Sequence, residues 1–269
     1  MASKSHESAG LAFDREGPRG DVPVVLIHAG IADRRMWNPQ WRALTAERDV
    51  VRLDLRGFGE SGEPRPGAQS AMADVIDALA ALGIDRCMLV GASFGAGVAV
   101  EVTLTRPSLV DSLLLSAPGG SLINDVTPDL RAFIDAEESA VERGDLEAAV
   151  EANVRWWVDG PYRSPDAVAP AIRDQVRRMQ RRAFEITAGW DDLEEQELDP
   201  PALERLAEVR VPTLVLVGAL DLDAIVNTAR HVTEGIPDAH LVEWPDTAHV
   251  PSMERPGDFL ALLRGWLTT

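Results

Sequence analysis

Continuous apolar runs, not alternating ones, mark the strands of this chain. They fall near residues 22–28, 49–54, 86–91, 111–116, 212–218 and 239–244, and most are Val/Leu/Ile-rich. A strand with apolar side chains on both faces belongs in a parallel sheet covered on each side by helices. Helical periodicity fills the intervals. Ser70 caps a stretch in which Met72, Val75, Ile76, Leu79 and Leu82 share a face, and Gly83 closes it. A final helix begins near Pro256 and turns Phe259, Leu260, Leu263 and Trp266 inward. Strands alternating with helices predict an α/β fold, a doubly wound, mostly parallel central sheet.

Between about 121 and 205 the pattern changes. No buried-strand run occurs there, and helical stretches are predicted near 128–143, 145–158, 165–188 and 200–208. Asp145 is placed to cap the second, and Pro161 and Pro165 punctuate its exit. The chain therefore divides into a core, 1–120 and 206–269, and an inserted helical segment, 121–205.

Candidate chemistry sits at the ends of the predicted strands. Met88-Leu89-Val90 leads into Gly91-Ala92-Ser93-Phe94-Gly95, and Ala96-Gly97-Val98-Ala99-Val100 leads out. That is a strand, a sharp turn and a helix, with a serine at the apex and glycines where strand and helix must approach. At a helix N-terminus, free N–H groups and the dipole favour developing negative charge. Downstream, Asp221 follows the strand ending at Gly218, and His249 follows the strand ending at Trp244. The order Ser93…Asp221…His249 is that of a nucleophile, an acid and a base. All three lie just past the carboxyl end of a strand, where open α/β sheets bind ligands. Asp223 and Asp125 are rivals for the acid.

These segments resemble the α/β-hydrolase superfamily over most of the chain. Val24-Val25-Leu26-Ile27-His28-Ala29-Gly30 resembles its oxyanion-loop segment, and Asp54-Leu55-Arg56-Gly57-Phe58-Gly59-Glu60-Ser61-Gly62 its D-x-R-G-x-G-x-S loop. Ala248-His249 with Glu254-Arg255-Pro256 resembles the histidine loop, although Ala29 and Ala248 stand where glycine is usual. The resemblance implies that 121–205 is a cap over the site and favours Asp221 as the acid. It implies an oxyanion hole from the N–H of Phe94 and that of Gly30, with Ile31 the neighbouring alternative. His28 reads as a loop anchor. Serine at the nucleophile position sets the chain apart from epoxide hydrolases and haloalkane dehalogenases, which carry aspartate there.

Composition narrows the partners. With 44 acidic against 26 basic residues, the formal charge is −18. Binding of nucleic acid or an anionic membrane needs clustered Lys/Arg, so neither is expected. Cys87 is the only cysteine and reads as a buried hydrophobe. No apolar run reaches the length of a membrane span, and residues 1–10 lack the apolar core of a secretion signal, so a cytoplasmic location is expected. P-loop, dinucleotide and zinc motifs all fail, so no cofactor or metal is expected. Trp37, Trp156, Trp157 and Trp190 are candidates to line an apolar pocket, with at most one of the adjacent pair facing it. The expected activity is that of a serine hydrolase cleaving a small, mainly apolar ester or lactone through an acyl-enzyme. A carbon–carbon bond hydrolase, a biosynthetic tailoring hydrolase and a non-enzymatic ligand receptor are the alternatives.

Overall fold

A computed structural model describes residues 6–190, 193–194 and 196–268. Eight strands form one sheet: β1 (His6–Ser8), β2 (Leu11–Glu16), β3 (Val24–Ile27), β4 (Val50–Leu53), β5 (Cys87–Ala92), β6 (Val110–Ser116), β7 (Thr213–Gly218) and β8 (Ala239–Trp244). Their spatial order is β1-β2-β4-β3-β5-β6-β7-β8. From β4 to β8 every pairing is parallel, whereas β1 on β2 and β2 on β4 are antiparallel. The six apolar runs coincide with β3 to β8. The hydropathy pattern does not anticipate β1 and β2, because a three-residue edge strand and a strand ending in Asp14-Arg15-Glu16 carry no long apolar run.

Helices cover both faces. Before β6 come α1 (Asn38–Leu44), α2 (Ala71–Ala81) and α3 (Phe94–Thr105). The Ser70 hydroxyl accepts the Ala73 N–H, so α2 starts at the cap the sequence predicts. Helix α3 crosses behind the sheet and is apolar nearly all round, as a helix buried between sheet and neighbours must be. Between β6 and β7 lie α4 (Pro128–Glu142), α5 (Leu146–Asn153) and α6 (Pro170–Thr187). Asp145 accepts the Ala148 N–H at the head of α5, and Val154–Asp159 continues that helix as a wider π-type turn. No described strand lies in this stretch. The chain closes with α7 (Asp223–Gly235), α8 (Pro251–Glu254) and α9 (Pro256–Trp266). Among the described residues, no helix is long and apolar enough to cross a membrane.

The core lies on both faces of the central strands. Val24, Val25, Leu26 and Ile27 of β3 and Leu113, Leu114 and Leu115 of β6 are fully buried, and Phe259 and Leu263 of α9 are buried in the same core cluster. Burying such a side chain contributes roughly 1.5–3 kcal/mol. The carboxyl ends of β5, β7 and β8 open at one edge of this sheet, and their loops build the site.

Candidate active site

Ser93 occupies the turn between β5 and α3 at φ 52° and ψ −117°. A side chain at positive φ is strained, so the surroundings must hold it there. Two glycines make the turn. A Cβ on Gly91 would lie 2.3 Å from the Gly95 carbonyl oxygen, and one on Gly95 would lie 2.5 Å from that of His28. The Ser93 N–H donates to the Ser116 carbonyl (2.9 Å), and its own carbonyl accepts from Ala96 (2.8 Å) and Gly119 (3.2 Å). The hydroxyl is thereby lifted off the backbone at the head of α3.

The base and acid arrive from separate loops. His249 Nε2 lies 2.7 Å from Ser93 Oγ, and its Nδ1 lies 2.7 Å from Asp221 Oδ2. Asp221 is fully buried, and its other oxygen accepts the Leu222 N–H (2.8 Å). Gly218, at the end of β7, is what lets the two loops meet: a Cβ there would stand 2.3 Å from the Thr247 carbonyl and 2.4 Å from that of Ala248. Leu220 then donates to the Thr247 carbonyl (3.0 Å), which pins the acid loop to the histidine loop. Ser93 itself is only partly buried, unlike His249 and Asp221 behind it.

The rival acids lie elsewhere. Asp223 is exposed and accepts the Tyr162 hydroxyl (2.6 Å), an interaction that pushes the phenol up to about 12. Asp125 is exposed and makes no contact with His249. Cys87 is buried at the start of β5, and burial pushes its thiol up to about 12.

Beside the serine, Phe94 is the first helical residue, and its N–H has no partner within the helix by geometry. Gly30 faces it; a Cβ on Gly30 would sit 3.5 Å from Phe94 Cβ. His28 anchors this loop. Its Nδ1 lies 2.8 Å from the Ala29 carbonyl, and its Nε2 accepts the Leu55 N–H (2.9 Å). Accepting at Nε2 requires the neutral ring, and complete burial lowers its pKa in the same sense. The Asp54 loop is likewise structural. Asp54 accepts the N–H groups of Arg34 (2.8 Å) and Glu60 (2.9 Å), while the Ser61 hydroxyl donates to the Asp54 carbonyl (2.7 Å).

The four tryptophans part company. Trp157, in the π-type turn, stacks its ring 4.4 Å from the His249 imidazole, with Phe133 5.0 Å behind it. Trp156, also expected in the pocket, instead packs half-buried against the core with the Arg155 guanidinium over its ring, 5.8 Å from the centroid. Trp190 lines a cavity of about 670 Å³ that also touches Gly30, Phe94, Phe58 and Val98. Trp37 is a correction to the sequence reading: it is fully buried in the core against Phe259 (5.8 Å) and lines no part of that cavity. Its place at the end of the 3-10 turn Arg34–Trp37, leading into α1, is a buried one, and the ring packs in the core.

One stretch of the helical segment grips both loops of the triad. Gly160 (φ 77°) is pressed so close that a Cβ would meet the Leu220 carbonyl at 2.4 Å and the Ala248 Cβ at 3.1 Å. Arg163 pairs with Glu254 where both are nearly buried, and Glu254 also accepts the Ala248 N–H (2.9 Å). No sequence motif identifies Arg163, because a lone arginine in a loop has no spacing to read.

Residues 24–262 match the family described as "Alpha/beta hydrolase family". The chain belongs to the alpha/beta hydrolase family. It is 30% identical over 249 residues to RutD of Rhizobium rhizogenes, whose name proposes a carbamate hydrolase; the match covers 90% of this chain and 91% of that one. It is 23% identical over 258 residues to 3-oxoadipate enol-lactonase 1 of Acinetobacter baylyi, covering 96% and 92%. Among solved structures, a thermophilic esterase from Thermogutta terrifontis superposes with a TM-score of 0.73 at 26% identity, covering 96% and 93%. As an alpha/beta hydrolase, the chain is a hydrolytic enzyme, and its eight-stranded, mostly parallel sheet is that fold.

Proposed function

We propose that this alpha/beta hydrolase is a serine hydrolase that opens a small ester or lactone through an acyl-enzyme. The observation that carries the reading is the unbroken pair of 2.7 Å contacts from Ser93 through His249 to Asp221. An alcohol is a weak nucleophile at neutral pH and needs a base at this distance. His249 takes the Ser93 proton as the oxygen attacks the carbonyl, then returns it to the leaving alcohol as the tetrahedral adduct collapses. Asp221 holds the ring with Nδ1–H toward itself and stabilises the imidazolium. Water repeats the sequence to release the acid. The N–H groups of Phe94 and Gly30 receive the oxyanion, and each such donor contributes roughly 3–4 kcal/mol to lowering the barrier.

The helices of 121–205 act as the cap. Trp157 shields the imidazole, which raises the electrostatic effect of Asp221 by excluding water. Relatives named as an enol-lactonase and an esterase support a carboxylic ester or lactone as substrate. RutD, named for carbamate hydrolysis, favours a carbamate as the second reading, since the same triad attacks that carbonyl.

A p-nitrophenyl ester series from acetate to decanoate, run with wild type and Ser93→Ala, tests the reading. Chain-length-dependent turnover is expected, reduced by on the order of 10⁶ in kcat in the variant. Turnover that persists in well-folded Ser93→Ala protein contradicts it.

A further inference from the structure

The cavity beside Gly30 and Phe94 has a charged far end for which the triad has no use. Phe94, Val98 and Glu101 follow Ser93 on one face of α3, four and three residues apart, and all three line the cavity. Glu101 is the only charged residue of that helix. It accepts a hydrogen bond from the Ser121 hydroxyl, which lies close because Gly97 leaves the helix bare; a Cβ there would sit 3.1 Å from Ser121 Oγ. Glu197 reaches the same space from the stretch after α6.

The other ionic groups of the cavity are spent. Arg56 donates to Asp74 (2.8 Å) and to the carbonyls of Glu63 and Ala9 (2.9 Å each). Asp74 takes Arg65 as well (2.7 Å). Among the described residues, neither Glu101 nor Glu197 pairs with a cation. Burial, with the charge of Glu197, pushes the Glu101 carboxyl above the usual carboxylate range, and only the Ser121 hydroxyl opposes it. A half-buried carboxyl left in this condition is stabilised by any cation that enters.

Direction within the site follows from the base. The leaving group must depart beside His249, which protonates it; Ser93, His249 and Trp157 all lie outside this cavity, whereas Gly30 and Phe94, on the side of the serine away from His249 in the oxyanion reading, line its mouth. The acyl group is the part left to fill it. Resting on the acyl-enzyme reading above, we propose that the cavity receives the acyl arm of the substrate and that Glu101, assisted by Glu197, binds a cationic amine at the end of that arm. The stem runs along Phe94, Val98, Phe58 and Trp190. Eight residues of helix separate Ser93 from Glu101, a rise of about 12 Å. An extended 6-aminohexanoyl chain, ester bond included, with a charge-assisted hydrogen bond of about 2.8 Å at its end, spans a distance of that order.

Two measurements test this. In the first, p-nitrophenyl hexanoate, p-nitrophenyl 6-aminohexanoate and the mono-p-nitrophenyl ester of adipate are compared by kcat/KM. Wild type is expected to favour the amino ester over hexanoate by about ten-fold, the size of one charge-assisted hydrogen bond, and to disfavour adipate. Glu101→Gln collapses the amino-to-hexanoate ratio toward one, Glu197→Gln lowers it less, and Glu101→Lys reverses the order in favour of adipate. An unchanged ratio in Glu101→Gln, or a wild-type preference for adipate, overturns the proposal.

The second measurement needs no turnover. Calorimetric titration of Ser93→Ala protein with 6-aminohexanamide should give saturable binding that hexanamide lacks and that Ser93→Ala/Glu101→Gln protein loses. If no ester is cleaved but this binding depends on Glu101, the esterase reading fails and the amine site stands. If the esters are cleaved through Ser93 but the amide binds no differently without Glu101, the amine site fails and the esterase reading stands.

Discussion

At the carboxyl edge of the sheet, backbone presses on backbone; among the helices between β6 and β7, side chains meet side chains near the surface. Gly91, Gly95 and Gly218 each lie where a single Cβ would come within 2.5 Å of a carbonyl oxygen. No neighbour at those points is a flexible side-chain end that can yield. The helices are joined differently, by part-exposed pairs such as Arg177 with Glu151 and Arg181 with Glu147. Exposed pairs of this kind contribute little and tolerate exchange. Backbone crowding fixes the turn that carries Ser93, whereas side-chain pairs near the surface hold the outer helices together.

The largest loss of activity is expected at the acid. Asp221→Asn keeps the shape but favours the wrong histidine tautomer, and kcat is expected to fall by about 10⁴. Asp223→Asn, only two residues on, should leave turnover close to wild type, because that carboxylate faces Tyr162. Steady-state kinetics on one good ester checks both, and the reverse result reassigns the acid.

Next in size is the glycine turn. Gly95→Ala puts a methyl group against the carbonyls of His28 (2.5 Å) and Ile27 (2.7 Å), neither of which can move without shifting β3. Overpacking of this kind costs about 1–3 kcal/mol, and urea unfolding should show it together with a loss of turnover. Full stability would mean that the strand-to-helix turn is looser than its geometry.

Arg163 marks the point where the two regions join. Arg163→Met leaves Glu254 nearly buried without its cation and frees the Ala248 N–H contact to drift. The expected result is a fall in kcat of about ten-fold with a smaller change in KM, partly restored by Arg163→Lys; a misplacement of about 1 Å at His249 is enough for a loss of that order. A change in Tm alone, with kcat intact, would limit Arg163 to stability. Smallest of all, Arg181→Gln removes an exposed pair with Glu147 on the outer helices. Neither Tm nor kcat should move, and a clear drop in either would show that the cap depends on its surface charges.

The same contrast governs what the sequence makes legible. Strands β3 to β8 are readable because burial on both faces forces continuous apolar runs. Ser93, Asp221 and His249 are readable because each follows such a run at a strand end, and the structure brings all three together. The hairpin of β1 and β2 is not, since its pairing depends on the register of β4 and not on its own pattern. Trp37 illustrates a second limit. Its nearness in sequence to Gly30 implies nearness to the pocket, but the intervening turn directs the ring into the core against Phe259. Glu101 illustrates a third: a charge alone on an otherwise apolar helix is visible in the sequence, but the cavity that gives it meaning is made by residues far away, at Gln69, Trp190 and Glu197.

The most direct test of the triad is to trap the acyl group. Wild-type protein is mixed with p-nitrophenyl hexanoate, quenched in acid within the first turnover, digested and weighed by mass spectrometry. A hexanoyl mass on the peptide containing Ser93, absent in His249→Ala and on every other peptide, is the predicted result. Nitrophenol release with no adduct on Ser93, or an adduct elsewhere, would contradict the account.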